Sequence, residues 1–201
     1  MMKCIVPCVC AFVFLFGCSD RDESPGPGAK EVMFNVDSTR IQSAYQPDDY
    51  GFSLHPPEGW DRISGDLLEN VRQSLQPYLD VADTFHIRPL QFFLHPDRRS
   101  LLVVSHISAS DTSAASPELI DRYTEAVRTA FALNNIKEDR YTKTGISIIQ
   151  YLLQKDDNVI FKILFTDSKE RLIQLDYVVP RTAYPEESRA IESSIGTLGI
   201  Q

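Results

Sequence analysis

The chain has 201 residues, of which 20 are Lys or Arg and 28 are Asp or Glu, and its formal net charge is −8. No basic run or patch is visible, so counterion release from phosphates cannot drive binding, and the composition excludes nucleic acid as a partner. Its four cysteines are Cys4, Cys8, Cys10 and Cys18. From residue 19 onwards the chain therefore has no disulfide, no thiolate nucleophile and no thiolate metal site.

Residues 1–17 have the three parts of a secretory signal peptide. Lys3 makes a positive amino-terminal region, residues 5–16 form an apolar core, and Gly17 is the small residue before a cleavage site. The apolar core is shorter than the ~20 residues that a transmembrane helix needs. We therefore predict a cleaved signal, and a short uncleaved anchor is the alternative.

The stretch Leu15-Phe16-Gly17-Cys18 resembles the lipobox of bacterial lipoproteins. Phe16 departs from the pattern, because a small or β-branched residue is usual there. The resemblance implies that Cys18 is the lipidation site: it carries diacylglycerol, the signal is cut just before it, and its new amino terminus is acylated, usually with palmitate. It also implies that the membrane is a partner, through the lipid on Cys18.

Residues 18–30 are predicted to be the lipidated cysteine and a flexible linker. Four charged residues and the run Pro-Gly-Pro-Gly leave too little apolar surface to offset the entropy of ordering. Analogy with enterobacterial sorting, in which aspartate just after the cysteine retains a lipoprotein in the inner membrane, favours the periplasmic face of the outer membrane here, because Ser19 holds that position. The inner membrane is the alternative.

Residues 31–201 suit one globular domain. Three of its segments have helical spacing. Apolar residues recur between residues 67 and 79, with Ser64 as a candidate cap. A second helix begins after the capping residue Ser116, with Pro117 at its first position. A third begins near Pro185, with Ile191, Ile195 and Leu198 on one face.

The remaining strong segments favour strands. They are residues 50–55, a hairpin of residues 90–95 and 101–107, a candidate strand at 140–144, and three apolar runs between residues 146 and 179 that read as an antiparallel meander. If Ser168 and Lys169 form a two-residue turn, Ile163 faces Gln174 and Phe161 faces Asp176 on one side. Lys162 then faces Leu175 on the other side. Both sides are mostly apolar, which predicts an α+β fold: an α/β/α sandwich with an antiparallel sheet flanked by helices.

Two stretches carry a resemblance to a known fold family. YGFSLHPPEGW at residues 50–60 is similar to the opening strand and Pro-x-Gly-Trp turn of PsbP-like domains, including DcrB-type lipoproteins. IESSIGTL at residues 191–198 resembles the last helix of that family. The resemblance implies a PsbP-like sandwich, a structural Trp60 packed on the sheet, and binding or assembly roles. The family has no common catalytic residues, so we predict that the chain is not an enzyme.

No catalytic or metal-binding constellation stands out in the sequence. The four histidines, His55, His86, His95 and His106, include no HxH or HxxxH pair, and the predicted hairpin places His95 beside Ser100 but His106 opposite Pro89. We therefore predict no metal site and no cofactor. Ser105, His106 and Asp111 lie close together without the nucleophile-elbow motif of a hydrolase. Paired carboxylates at 48–49, 156–157 and 186–187 are explained by turns and by a helix start.

One faint constellation remains. On the predicted register Gln150, Gln174 and Asp176 share an apolar face with Ile163 and Phe161, and they could form the floor of a binding pocket. The alternative is that they satisfy loop backbone or lie at the sheet's uncovered end.

We expect a membrane-anchored envelope lipoprotein that acts as a non-enzymatic protein-binding or assembly module with an envelope protein partner. The alternative is a lipoprotein that binds a small ligand or a metal.

Overall fold

A computed structural model describes residues 30–63, 84–109, 114–132 and 136–201. The predicted signal peptide, Cys18, nearly all of the predicted linker and the helix expected at residues 67–79 lie outside these ranges. No helix within the described ranges is long and apolar enough to cross a bilayer.

The described residues form nine strands and two α-helices. The two short strands at the amino-terminal end are β1 (Phe52–Ser53) and β2 (Asp61–Arg62). The long strands are β3 (Phe85–Leu94), β4 (Leu101–Ala109), β5 (Ile136–Lys143), β6 (Ile146–Lys155), β7 (Asn158–Thr166) and β8 (Leu172–Pro180). Helix α1 (Pro117–Ala130) precedes β5, and helix α2 (Tyr184–Gly196) precedes the short strand β9 (Gly199–Ile200).

Seven strands form one antiparallel sheet in the order β2-β3-β4-β8-β7-β6-β5. Each face carries its own hydrophobic cluster. One cluster joins the sheet to Leu119, Tyr123 and Val127 of α1, and the other joins it to Ile191 and Ile195 of α2. The predicted α+β sandwich with helices on both faces is confirmed, because an antiparallel sheet that is apolar on both sides must be covered on both sides.

Both helices start where the sequence predicts. The Ser116 hydroxyl accepts the Leu119 N–H at 3.1 Å, and Pro117 occupies the first turn, where its missing N–H costs no helical hydrogen bond. Helix α2 begins at Tyr184 with Pro185 in its first turn. Its buried stripe includes Ile191 and Ile195.

The opening stretch, residues 50–55, packs against the domain and does not add a strand to the main sheet. Only Phe52–Ser53 forms a strand, and it pairs with β9 at the carboxyl end of the chain. Gly59 adopts a φ of +78°, a backbone conformation that favours glycine. The turn places Trp60 fully buried against Tyr177, with the two ring centroids 6.2 Å apart. Trp60 therefore packs on the sheet as predicted.

The β3–β4 hairpin is confirmed, but its register differs beyond the turn. His95 lies beside Ser100, as expected. A bulge between Pro89 and Gln91 takes up one extra residue, so His106 pairs with Arg88 instead of Pro89. The prediction failed at that point because a bulge changes the residue count on one strand only.

The β7–β8 register is also one residue away from the prediction. Lys162 pairs with Asp176 and Ile163 with Leu175. The connection is a five-residue loop, residues 167–171, instead of a two-residue turn. The Asp167 carboxylate organises this loop by accepting the backbone N–H groups of Lys169 and Arg171 at 3.0 and 2.9 Å. Because the side-chain period of a strand is two, the one-residue shift brings Lys162 and Asp176 to the same face.

Candidate functional site

The corrected register separates the three predicted binding residues. Gln174 and Asp176 lie on the sheet face covered by α1, since the Tyr123 hydroxyl of α1 donates to Gln174 Oε1 at 2.6 Å. Gln150 lies on the opposite face, because it pairs across the sheet with Ile163, which belongs to the cluster beneath α2. The predicted shared face of Gln150, Gln174 and Asp176 is therefore wrong.

Gln174 and Asp176 belong to a closed polar network inside the protein. Lys162 Nζ donates to Asp176 Oδ1 at 2.7 Å, and Gln174 Nε2 donates to the other carboxylate oxygen. Burial raises the pKa of the Tyr123 phenol well above its usual value, and the nearby Asp176 carboxylate raises it further. These groups satisfy one another, and neither of the two cavities described below is lined by them. They form a buried polar contact between the sheet and α1.

Gln150 does line a cavity. It accepts the Tyr141 hydroxyl at 2.9 Å and lies at the side of a cavity of about 430 Å³ between β5, β6, α2 and the segment 30–36. We call this space the cradle. Its walls combine apolar side chains with charged and amide groups: Val32, Phe34, Tyr141, Phe161, Asp139 and Glu192. Cavities of a few hundred cubic ångströms with mixed walls are typical of small-molecule sites.

The segment 30–36 is tied to the domain by backbone pairing and by close packing. Thr142 of β5 accepts the Val32 N–H at 2.9 Å and donates to the Lys30 carbonyl at 3.1 Å. Phe34 lies against Gly196, where an added Cβ would come within 2.7 Å of the Phe34 Cβ. Gly196 is thus required by the close approach of the segment to the end of α2.

Side chains alternate along this segment, as they do in a strand. Val32 and Phe34 turn inwards and pack against the cluster beneath α2. Met33 points the other way and is 94% exposed. Met33 also lines the cradle, so this exposed apolar side chain lies at the edge of the cavity.

A second buried ionic cluster surrounds Glu187, which the sequence indicated only as part of a helix start. Glu187 is buried, accepts Arg98 Nη1 at 2.8 Å, and accepts the Trp60 indole N–H at 3.3 Å. It fastens α2 to the β3–β4 loop and to the opening stretch. The acidic pair at 186–187 showed that a helix begins here, but only the tertiary packing distinguishes buried Glu187 from its exposed neighbour.

The histidines are dispersed. The His55 ring lies 2.8 Å from the Gln42 carbonyl, His95 accepts the Asp97 and Arg98 N–H groups at 3.3 Å, and the His106 ring lies 5.8 Å from that of Tyr50. Among the described residues no three His, Cys, Asp or Glu side chains are grouped in a way that could hold a metal ion.

Comparison with known proteins finds similarity in structure and no match in sequence. No known family model matches the chain, and no curated protein matches it. The chain is similar to the solution structure of cyanobacterial PsbP (CyanoP) from Synechocystis sp. PCC 6803, with a TM-score of 0.46 and 11% sequence identity. The match covers 81% of this chain and 94% of that one. No residue role is transferred from that protein to this chain.

Proposed function

We propose that this chain is a lipid-anchored protein of the bacterial cell envelope whose domain binds a protein partner without catalysing a reaction. The signal-like residues 1–17 and the lipobox-like position of Cys18 support the anchor. Two acyl chains suffice for stable attachment to a bilayer. The twelve residues between Cys18 and Glu31, treated as a flexible chain, would hold the domain within roughly 20 Å of the membrane.

The observation that carries the proposed binding surface is the exposure of Met33 beside the cradle. The segment that presents Met33 is the first described part of the chain after the proposed tether, so a partner there would lie close to the membrane. Unbranched, polarisable Met side chains adapt to different apolar partners. The proposed surface consists of Met33, Val36 and the rim of the cradle.

The buried ionic groups have structural roles. Lys162 and Asp176 neutralise each other beneath α1, and Glu187 is held between Arg98 and Trp60. A catalytic acid or base must reach its substrate within hydrogen-bond distance. These buried charges instead fasten one element of the fold to another.

The test is a photo-crosslinking experiment in living cells. A photoreactive amino acid replaces Met33 in one variant and Asp97, exposed in the β3–β4 loop, in the other. Asp97 lies in the loop between β3 and β4, which are five and four strand positions away from β5 in the sheet. We expect a reproducible protein adduct from position 33 and none of the same mass from position 97.

A pair of glycine variants tests whether the adduct depends on the position of the segment that carries Met33. Gly196→Ala would push against Phe34 and Val36, whose atoms lie within 2.7 Å of the added methyl, and should reduce the adduct severalfold. Gly199→Ala meets its nearest atom at 3.6 Å and should leave the adduct unchanged. A lipid adduct alone at position 33 would contradict the proposal, because the surface would then face the membrane instead of a protein.

Small-ligand binding is the second candidate, and the volume of the cradle favours it. Gln150 is the one predicted binding residue that lines this cavity. A low-molecular-weight species retained by the purified protein in native mass spectrometry, and lost in Gln150→Ala, would support this function. A protein that carries no such species would argue against it.

A further inference from the structure

The sheet contains a fork between two of its central strands. β6 and β7 pair from Lys155↔Asn158 as far as Ile149↔Leu164 and then separate. Beyond that point residues 146–148 pair only with β5, and residues 165–166 pair only with β8. There β6 remains paired with β5, to which the turn at Gly145 joins it, and β7 remains paired with β8, to which the Asp167 loop joins it. The two connections are independent of each other, so β6 and β7 can separate.

The fork holds a second cavity, which shares Arg140 and Tyr141 with the cradle but has otherwise different walls. Its volume is about 280 Å³, and we call it the fork cavity. Its walls are mainly apolar, from both strands, from β8 and from α1: Ile120, Ile148, Ile149, Leu164, Phe165 and Leu172. The separated strand edges also leave peptide groups without a ladder partner across the fork.

One cation lies where the strands part. Arg140 stands in the same cross-strand row as Ile149 and Leu164, the last pair before the fork, and it lines the cavity. Its Nε donates to Glu138 Oε1 at 2.8 Å, and within the described ranges neither terminal guanidinium nitrogen has a hydrogen-bond partner. Ser147 and Thr166 add hydroxyl groups to the lining.

We propose that the fork cavity binds a small amphipathic monocarboxylate, with the carboxylate on Arg140 and the hydrocarbon chain between β6 and β7. A planar guanidinium matches a carboxylate through two parallel hydrogen bonds. A space of 280 Å³ corresponds to roughly nine water volumes, which suits a ligand of about ten non-hydrogen atoms. An eight-carbon fatty acid has this size. The site is separate from Met33 and does not rest on the proposed lipid anchor or protein partner.

Glu138 provides a matched control for Arg140. Its carboxylate accepts Arg128 Nε and Nη2 at 2.8 and 2.9 Å as well as Arg140 Nε. Removal of either arginine takes away one positive charge and one partner of Glu138. Only Arg140 lines the fork cavity, so only its loss should affect the ligand.

The experiment measures binding of radiolabelled octanoate by equilibrium dialysis to the purified full chain, with protein-free buffer as background. We expect one saturable site per chain. Arg140→Gln should weaken binding at least tenfold, Arg140→Lys should retain part of it, and Arg128→Gln should change it less than twofold. Ser147→Phe should abolish binding, because the ring would occupy the cavity from an exposed strand position that favours aromatic residues.

Ligand analogues test the chemistry of the head group. Octylamine should not compete with octanoate, since its charge is repelled by Arg140. No saturable octanoate binding, or equal losses in Arg128→Gln and Arg140→Gln, would overturn the proposal. Tighter binding of octyl phosphate than of octanoate would overturn the carboxylate assignment. Circular dichroism of each variant distinguishes a lost site from a lost fold.

Discussion

The charged pair Lys162–Asp176 is the least expected feature at the scale of single residues. Both side chains are buried in the middle of the sheet, and Gln174 and Tyr123 extend their hydrogen bonding to α1. A buried ion pair contributes little net stability, because the cost of removing two charges from water offsets their attraction. Loss of one partner, in contrast, leaves an uncompensated charge in the core.

This asymmetry gives a prediction for Lys162. Lys162→Met should lower the free energy of unfolding by about 3–5 kcal/mol, because Asp176 loses its counter-charge. The double variant Lys162→Met/Asp176→Asn should be more stable than Lys162→Met alone, since no buried charge remains. Urea unfolding of the two variants and of wild type measures both effects.

Lys137→Met serves as the control, since Lys137 is on an exposed stretch of β5 and should stay within about 0.5 kcal/mol of wild type. A double variant that is no more stable than Lys162→Met would contradict the prediction. It would mean that hydrogen bonds of the network, rather than its charges, dominate the energy.

At the scale of elements, the loop at residues 167–171 determines which faces of β7 and β8 meet. Burial alone would raise the pKa of Asp167, but hydrogen bonds from Arg171 and from the Gly51 N–H outweigh it and hold the pKa below its usual value. The same carboxylate connects this loop to the opening stretch, through Gly51 at 3.1 Å. One side chain thus sets a sheet register and docks a distant segment.

The lowered pKa predicts a pH dependence. Because the folded-state pKa of Asp167 lies below the unfolded one, ionised Asp167 stabilises the fold above about pH 4. This contribution is lost as the pH falls through the folded-state pKa. Asp167→Asn should therefore be less stable than wild type by about 1–3 kcal/mol at pH 7, and the difference should narrow below about pH 4.

Denaturant unfolding at pH 7 and near pH 3 measures this difference. Asp157→Asn, at an exposed position in the β6–β7 turn, is the control and should stay within about 0.5 kcal/mol of wild type at pH 7. If the Asp167→Asn difference were the same at both pH values, the ionised state of Asp167 would not be the source of the stability.

The elements themselves were largely predictable, whereas their registers were not. The capping residue Ser116 and the spacing of Leu119, Tyr123 and Val127 are local signals, and they gave the correct start and buried face of α1. Two register errors, at the bulge beside Pro89 and at the Asp167 loop, arose from loop and bulge geometry that depends on distant partners. The second error also produced the wrong grouping of Gln150 with Gln174 and Asp176.

At the scale of the whole molecule, the proposed function requires both a lipid anchor at Cys18 and a binding domain. We predict that Cys18→Ser abolishes incorporation of radiolabelled palmitate and leaves residues 1–17 attached, because the thiol is the group that the lipid modifies. Cys10→Ser lies within the proposed signal and should still be labelled and processed. Autoradiography and intact-mass measurement report the two outcomes. Palmitate on the Cys18→Ser variant would contradict the lipobox interpretation.

Features that depend on neighbouring residues were predictable from the sequence: the helix starts at Ser116 and near Pro185, the hairpin at residues 96–99, the meander, and a sheet that is apolar on both sides. Which polar groups meet depends on the packing of distant elements. The Lys162–Asp176 pair, the burial of Glu187, the cradle beside Gln150 and the fork at Arg140 all join residues from different elements. Their formation depends on register and packing, and a shift of one residue along a strand exchanges its two faces.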